Sequence, residues 1–273
     1  MFVPTTRNRT MLDAATSTLS LIYTVTVHNL RATDRNPIIG LLMTAVRSVV
    51  MIAGFMSMYY LLGVRTSPVR GDFLVYVMSG VFLYQAHTMA VQAVAGAGGS
   101  SQAIMKHGPM TTAVVISAGA LSSLYRTTFA ALAILGIYYL VKPFTLEDPV
   151  GAVWMMLLAW FSGAAIGMIF LAIKPWAPQI ASIGTNVYSR VQMVASGKMF
   201  LANALPGFMI HYFDWNPLFH VIDQARGYAF INYTPHHSSV TYPVYFSLAV
   251  LMIGLMAEFV TRRAESVSWA AAR

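Results

Sequence analysis

Residues 150–173 read VGAVWMMLLAWFSGAAIGMIFLAI, an apolar run without one charged side chain. A helix needs about 20 such residues to cross the hydrocarbon core of a bilayer. Pro149 stands at its start, where a proline's missing N–H costs a helix nothing. Five further apolar segments surround it. They run over about 37–62, 73–97, 109–141, from 178 onward, and 242–260. Pro37, Pro109 and Pro178 mark three of the starts. The segment from Pro178 is the least apolar. The segment 109–141 is too long for one crossing, so its first part is expected at the cytoplasmic surface. The expected fold is all-α and polytopic, with six transmembrane helices in a single domain over residues 37–273.

Composition agrees. Of 273 residues, 57% are hydrophobic and 10% are charged, against about 25% charged in an ordinary soluble domain. The mean hydropathy is +0.63. A disordered chain is excluded, because such chains are poor in apolar residues and rich in charge. A soluble globule is excluded because too few charges are available to coat its surface. With no cysteine, disulfides, thiol nucleophiles, Cys–zinc sites and iron–sulfur clusters are excluded. The net charge of +8 reads as basic loops beside an anionic leaflet, not as a nucleic-acid surface.

Residues 1–36 mix Leu12, Leu19, Leu21, Ile22, Val25 and Leu30 with Asp13, Thr16, Ser17, Thr24, His28 and Arg31. This is an amphipathic stretch, expected as a helix along the cytoplasmic face and not as a cleavable signal peptide. With six spans both termini share a side. That side would hold Arg7, Arg9, Arg31, Arg35, Lys106, Lys174, Arg262, Arg263 and Arg273, nine in all. The other would hold five: Arg65, Arg70, Lys142, Lys198 and Arg226, together with Asp72, Glu147, Asp148, Asp214 and Asp223. The excess of basic residues puts both termini in the cytoplasm.

The connection over 197–241 is neither a clean span nor a polar loop. Phe200, Leu201, Leu205, Phe208, Tyr212, Phe213, Trp215 and Leu218 are interrupted by Gly197, Pro206, Gly207 and Pro217. It reads as short amphipathic or re-entrant helices on the outer face, a candidate gate around Gly197, Pro206, Asn216 and Pro217. Irregular backbone at membrane depth is tolerated only inside protein or beside water. Gly163 and Gly167 form a small-xxx-small pattern that permits close helix contact, within the chain or between subunits.

Arg47, Arg126 and Arg190 fall inside apolar segments. An arginine at the bilayer centre costs at least about 2.5 kcal/mol unless it faces protein or water. No Asp or Glu lies inside a span to pair with them; Glu258 is near the end of the last. Guanidinium groups bind phosphate and carboxylate bidentately, so the three are expected along a path for an anionic substrate. Tyr84, Tyr125, Phe129 and Tyr188 also sit within segments and are candidates to line a conduit for sugar rings. Snorkelling or ordinary helix packing is the competing role for each.

Enzyme signatures are missing. The chain has no GxxxxGK[ST] loop for ATP, and no HExxH or GxSxG. His211, His220, His236 and His237 show no ligating spacing, and no metal site is expected.

The segments Ser196-Gly-Lys-Met-Phe200, Ala204-Leu-Pro206 and Trp215-Asn-Pro-Leu-Phe-His220, followed by Asp223 and Arg226, resemble the hallmark region of type-2 ABC exporter permeases. The branch they are most similar to is the capsular-polysaccharide export permease of Gram-negative bacteria. Gln102-Ala-Ile-Met-Lys-His-Gly-Pro-Met110, with Ile116-Ser117 and Leu121-Ser-Ser123, resembles that family's loop between spans two and three; His107, Gly108 and Pro109 replace its usual Arg-Phe-Pro. The resemblance covers essentially the whole chain. It implies a homodimer bearing two copies of a separate ATP-binding subunit, which holds ATP and Mg. It implies export of a lipid-linked polysaccharide across the bacterial inner membrane, with periplasmic and outer-membrane export partners and no nucleic acid. Residues 101–110 would dock on the ATPase through Gln102, Ile104, Met105, Lys106 and His107, and 197–226 would supply periplasmic gate helices. The alternatives are a type-2 permease for a drug, lipid or other glycan, a membrane-embedded glycosyl or polyprenyl enzyme, and a channel or secondary transporter.

Overall fold

The computed structural model describes residues 11–32, 37–63, 67–100 and 111–271. Among them are nine α-helices and no strand. In chain order they are α1 (Met11–Ala32), α2 (Pro37–Leu61), α3 (Phe73–Ser100), α4 (Thr112–Val141), α5 (Pro149–Ile173), α6 (Pro178–Ala195), α7 (Gly207–Phe213), α8 (Pro217–Ala229) and α9 (Thr241–Ala271), with a single 3₁₀ turn over Ala202–Ala204. Local chemistry sets the ends. Pro37, Pro149, Pro178 and Pro217 each open a helix. Asp148 accepts the N–H groups of Val150 and Gly151, both at 3.0 Å, capping α5. Gly63, at φ +75°, turns the chain out of α2 in the left-handed conformation that favours glycine.

Five of these helices, α2, α3, α4, α5 and α9, are long and apolar enough to cross a membrane. The sixth expected span, α6, is helical but only 18 residues long, about 27 Å at 1.5 Å per residue. It carries Gln179, Ser182, Asn186, Arg190 and Gln192, which keep its hydropathy low. Of the expected segment 109–141, residues from Thr112 onward form one unbroken helix of 30 residues, about 45 Å long. Its first half is flanked by α1, whose Val25 packs with Val114 and Ala118.

Helix α3 is the axis of the fold. Of its most apolar stretch 83% is buried, against 28% for α2, 22% for α4 and 17% for α9. Apolar helices in lipid gain nothing from leaving water, so close backbone approach must hold them together. Glycines provide it. A β-carbon at Gly163 would stand 2.2 Å from the His87 carbonyl, and one at Gly167 2.8 Å from that of Val91. The small-xxx-small pattern of α5 therefore packs on α3 of the same chain. Gly119 brings α4 to the opposite flank, 3.1 Å from the Ala93 carbonyl on the same measure.

Candidate functional site

Two features carry chemistry: a cavity containing two of the three intrahelical arginines, and a buried polar centre below the break after α6.

The cavity lies between α2, α3 and α4 and encloses about 610 Å³. Helix α2 contributes Gly40, Met43, Thr44, Val46 and Arg47; α3 contributes Met89, Gln92 and Ala93; α4 contributes Ser122, Ser123 and Arg126. The residues fall here by helical spacing, since 40, 43, 44 and 47 share one face of α2 and 122, 123 and 126 one face of α4. Arg47 is exposed on α2. Arg126 is half-buried, and its Nη2 donates to the Asn29 carbonyl in the last turn of α1 at 2.9 Å. Among the described residues that line the cavity there is no carboxylate. Arg190 sits elsewhere, exposed on α6 near Val187, Val191 and Val194. Tyr125 is 52% exposed beside Arg126 on α4.

The break after α6 falls at Gly197, whose φ of +69° is the left-handed region and whose β-carbon would meet the Phe219 ring at 2.6 Å. The chain then runs through the 3₁₀ turn and Pro206 into α7, and enters α8 at Pro217. Helix α8 is an interior element: Leu218, Phe219, Val221 and Ile222 are all at most 1% exposed. Its Arg226 is fully buried. Nη1 donates to the carbonyls of Gly197 (3.1 Å) and Phe200 (2.6 Å), and Nη2 to that of Lys198 (2.5 Å). One guanidinium thus supplies the donors that this irregular backbone lacks. Tyr59 adds a hydroxyl to the Met199 carbonyl. Asp223, one turn earlier, accepts from Tyr233, from Ser238 at 2.7 Å and from the Ala202 N–H at 3.4 Å.

Tyr76, Gly80 and Tyr84 fall at four-residue steps on the face of α3 beneath this segment. The Arg226 guanidinium lies 4.3 Å from the centre of the Tyr76 ring, and the Lys198 ammonium over the Tyr84 ring. Between them a β-carbon at Gly80 would be 2.8 Å from the Lys198 carbonyl, so only glycine lets the backbone settle there. Tyr84 is 7% exposed and donates to the Ser189 carbonyl at 2.9 Å.

Tyr188 belongs to a second buried chain. Gln192 Nε2 donates to the Tyr188 hydroxyl at 2.6 Å, which lies 2.7 Å from His87 Nε2. His87 Nδ1 faces the Ala159 carbonyl at 3.1 Å and Ser162 Oγ at 2.9 Å, and that hydroxyl donates to Ala159 as well. A carbonyl only accepts, so Nδ1 carries the proton and Nε2 accepts from Tyr188. Gln192 and Asn216 exchange amide hydrogen bonds at 3.1 and 2.7 Å, and Asn216 Oδ1 caps α8 through the Leu218 N–H at 3.1 Å. The chain joins α3, α5, α6 and α8. Tyr188, expected along a conduit, and Asn216, expected at a gate, share this one network. His87 and Gln192, polar residues within helical segments, were the signal for the link.

At the start of α3 Asp72 accepts from the Leu74 N–H and the Tyr138 hydroxyl, both at 2.8 Å, and pairs with Lys142 at 2.6 Å. Burial pushes its carboxyl up, but these hydrogen bonds and the ammonium outweigh burial and hold it below the usual value. His220 is held by the Asp214 carbonyl at 2.7 Å and the Ser239 N–H at 3.1 Å. Among the described residues no three potential metal ligands come together. Gln102, Ile104, Met105, Lys106 and His107 lie outside the described residues.

No family model matches the chain, and no curated protein matches it.

Proposed function

We propose that this chain is the membrane-spanning subunit of an ATP-driven exporter of the type-2 ABC kind. It works as a homodimer with two copies of a separate ATP-binding subunit, which holds ATP and Mg. It moves a lipid-linked, anionic capsular polysaccharide from cytoplasm to periplasm, handing it to periplasmic and outer-membrane partners. In this reading α6 is the sixth span, both termini are cytoplasmic, and α7 and α8 are gate helices. Residues 101–110 seat in the ATPase, and Arg47, Arg126 and Arg190 meet the anionic cargo.

One observation carries the reading. The polar residues through which the sequence resembles these permeases are the ones buried together after α6. Ser196, Asn216 and Arg226 are 0% exposed, Asp223 2%, Lys198 3% and His220 4%. Buried polar groups are expensive unless they serve a defined arrangement, and this one organises a chain reversal of the kind a gate requires.

The test is affinity purification of the full chain from its native membrane, followed by reconstitution. A stoichiometric ATPase and ATP-dependent movement of a lipid-linked glycan across the vesicle wall are expected. Ile104→Asp with Met105→Asp should abolish movement while leaving membrane insertion intact. ATP-dependent movement of a drug or simple lipid instead would reassign the cargo within the same class. A chain that brings down no ATPase and moves nothing with ATP overturns the reading.

A further inference from the structure

We infer that the groove between the start of α5, the end of α8 and the start of α9 holds a phospholipid with a primary ammonium headgroup, of the phosphatidylethanolamine class. The groove encloses about 710 Å³, inside the roughly 300–1,000 Å³ of pockets that take whole small molecules. Its walls are Trp154, Leu157, Leu158 and Phe161 of α5, with Val240 and Val244 at the entry to α9. Asp148 and Tyr228 stand at its head. The apolar run of α5 begins at Val150, and Phe161 lies eleven residues further on, about 16 Å along the helix. That is the depth of one leaflet in a hydrocarbon core about 30 Å thick. The groove therefore follows a single acyl chain from the membrane surface to the bilayer middle.

Charge decides the headgroup. Asp148 caps α5 through one oxygen, Oδ1, which accepts from Val150 and Gly151; Oδ2 remains to accept from a ligand. Glu147, the residue before it, is exposed. Neither acid forms an ion pair among the described residues. The basic residues of the adjoining segments are already engaged: Lys142 pairs with Asp72 at 2.6 Å, and Arg226 of α8 donates to three carbonyls after α6. Two carboxylates outweigh the roughly +0.5 charge at the start of a helix, so the mouth of the groove is negative and disfavours an anionic lipid. An ammonium with N–H groups donates to carboxylates; a trimethylated one has no hydrogen to give. Next to the acids, the Tyr228 hydroxyl and the indole N–H of Trp154 have no partner among the described residues, and Trp154 is 64% exposed. Aromatic residues with such polar tips suit the level of the headgroups, where these two donate to phosphate or ester oxygens. A β-carbon at Gly151 would stand 2.5 Å from the Tyr228 ring, so glycine is what lets that ring lie against the first turn of α5, beside Asp148.

This site does not depend on the exporter reading, because it is measured as lipid binding by the chain alone. The experiment is native mass spectrometry of the purified full-length chain in detergent, given equal amounts of phosphatidylethanolamine, phosphatidylcholine and phosphatidylglycerol with identical acyl chains. Wild type should retain phosphatidylethanolamine about tenfold over either of the others, the ratio expected of one hydrogen bond to a charged group. Glu147→Gln with Asp148→Asn should bring the three lipids near parity without lowering the melting temperature, since asparagine caps a helix as well as aspartate does. Glu258→Gln, which removes an acid about 21 Å along α9 from Val244, should leave the preference intact. Val244→Trp, which fills the groove from α9, should lower phosphatidylethanolamine to the level of the other two. Millimolar free ethanolamine, which has no chain for the groove, should fail to displace the lipid. The inference is overturned by equal retention of the three lipids in wild type, by a preference for phosphatidylglycerol, by a preference that survives the double charge variant or Val244→Trp, by its loss in Glu258→Gln, or by displacement with free ethanolamine.

Discussion

The ammonium nitrogen of Lys198 stands 3.3 Å from the centre of the Tyr84 ring and 4.8 Å from that of Phe55. It is buried and has no hydrogen-bond partner among the described residues, so the two ring faces are the identified stabilising contacts of that charge. Tyr84→Leu should cost about 2 kcal/mol or more, because it strips a buried cation of its main contact. Lys198→Met should cost less, and the double variant should lose clearly less than the sum of the two. A double-mutant cycle on unfolding in detergent checks this; additive losses would refute the coupling.

The contact between α3 and α5 predicts opposite outcomes for two glycines. Gly163→Ala drives a methyl into the His87 carbonyl, at 2.2 Å from unmoved backbone, and should cost about 3 kcal/mol, the upper end of overpacking. Gly136→Ala meets nothing within 4 Å and should be neutral or stabilising by up to about 1 kcal/mol through helix propensity. Thermal unfolding of both purified chains decides it. Equal behaviour would mean that α5 does not approach α3 this closely.

The amide pair Gln192–Asn216 ties α6 to the start of α8. Asn216→Ala removes the α8 cap and takes away the donor of Gln192 Oε1, each worth about 1 kcal/mol or more. Asn216→Asp keeps the cap but sets a carboxylate against Gln192 Oε1, which now accepts at 2.7 Å. Both variants should speed hydrogen exchange of the α8 amides, with little change in α2. Unchanged protection in α8 would show that the pair holds nothing in place.

The Asp72 carboxyl, held below its usual range, makes acid stability testable. A depressed carboxylate pKa contributes stability above its ordinary value near 4, and that contribution is lost as pH falls through the folded value. Wild type should lose stability on acidification below about pH 4 more steeply than Asp72→Asn. At pH 7 the variant should be about 1–2 kcal/mol weaker, having lost an ion pair and a charged α3 cap. Parallel melting curves from pH 7 to pH 3 would rule this out.

Helix positions were legible because their signals are local. Prolines 37, 149, 178 and 217 mark helix starts in the structure, the break at Gly197 follows the end of α6, and that at Pro206 precedes α7. The rotation of each helix was not legible. Helix α3 has no single polar face, since Gln85 and His87 project to opposite sides of it, so nothing in its pattern says that Tyr84 faces Lys198 and not a conduit. The pairing of Arg47 with Arg126 in one cavity, and the separation of Arg190 from it, depend on how α2 and α4 pack across α3, which no single segment encodes. Arg226 was noted only as part of a motif. Its three carbonyl partners exist because Gly197 turns the chain back over α3, a contact between residues about 30 positions apart.

The unbroken length of α4 has a mechanical meaning. At about 45 Å it is longer than the roughly 30 Å hydrocarbon core that a spanning helix must cross. Its hydrogen-bond ladder is continuous from Thr112 to Val141, so the two ends belong to one rigid element. Along the way it carries Arg126, which drags α1 by the Asn29 carbonyl. It ends at Tyr138 and Lys142, both fastened to Asp72 at the head of α3. One helix thereby ties the end of α1 to the head of α3.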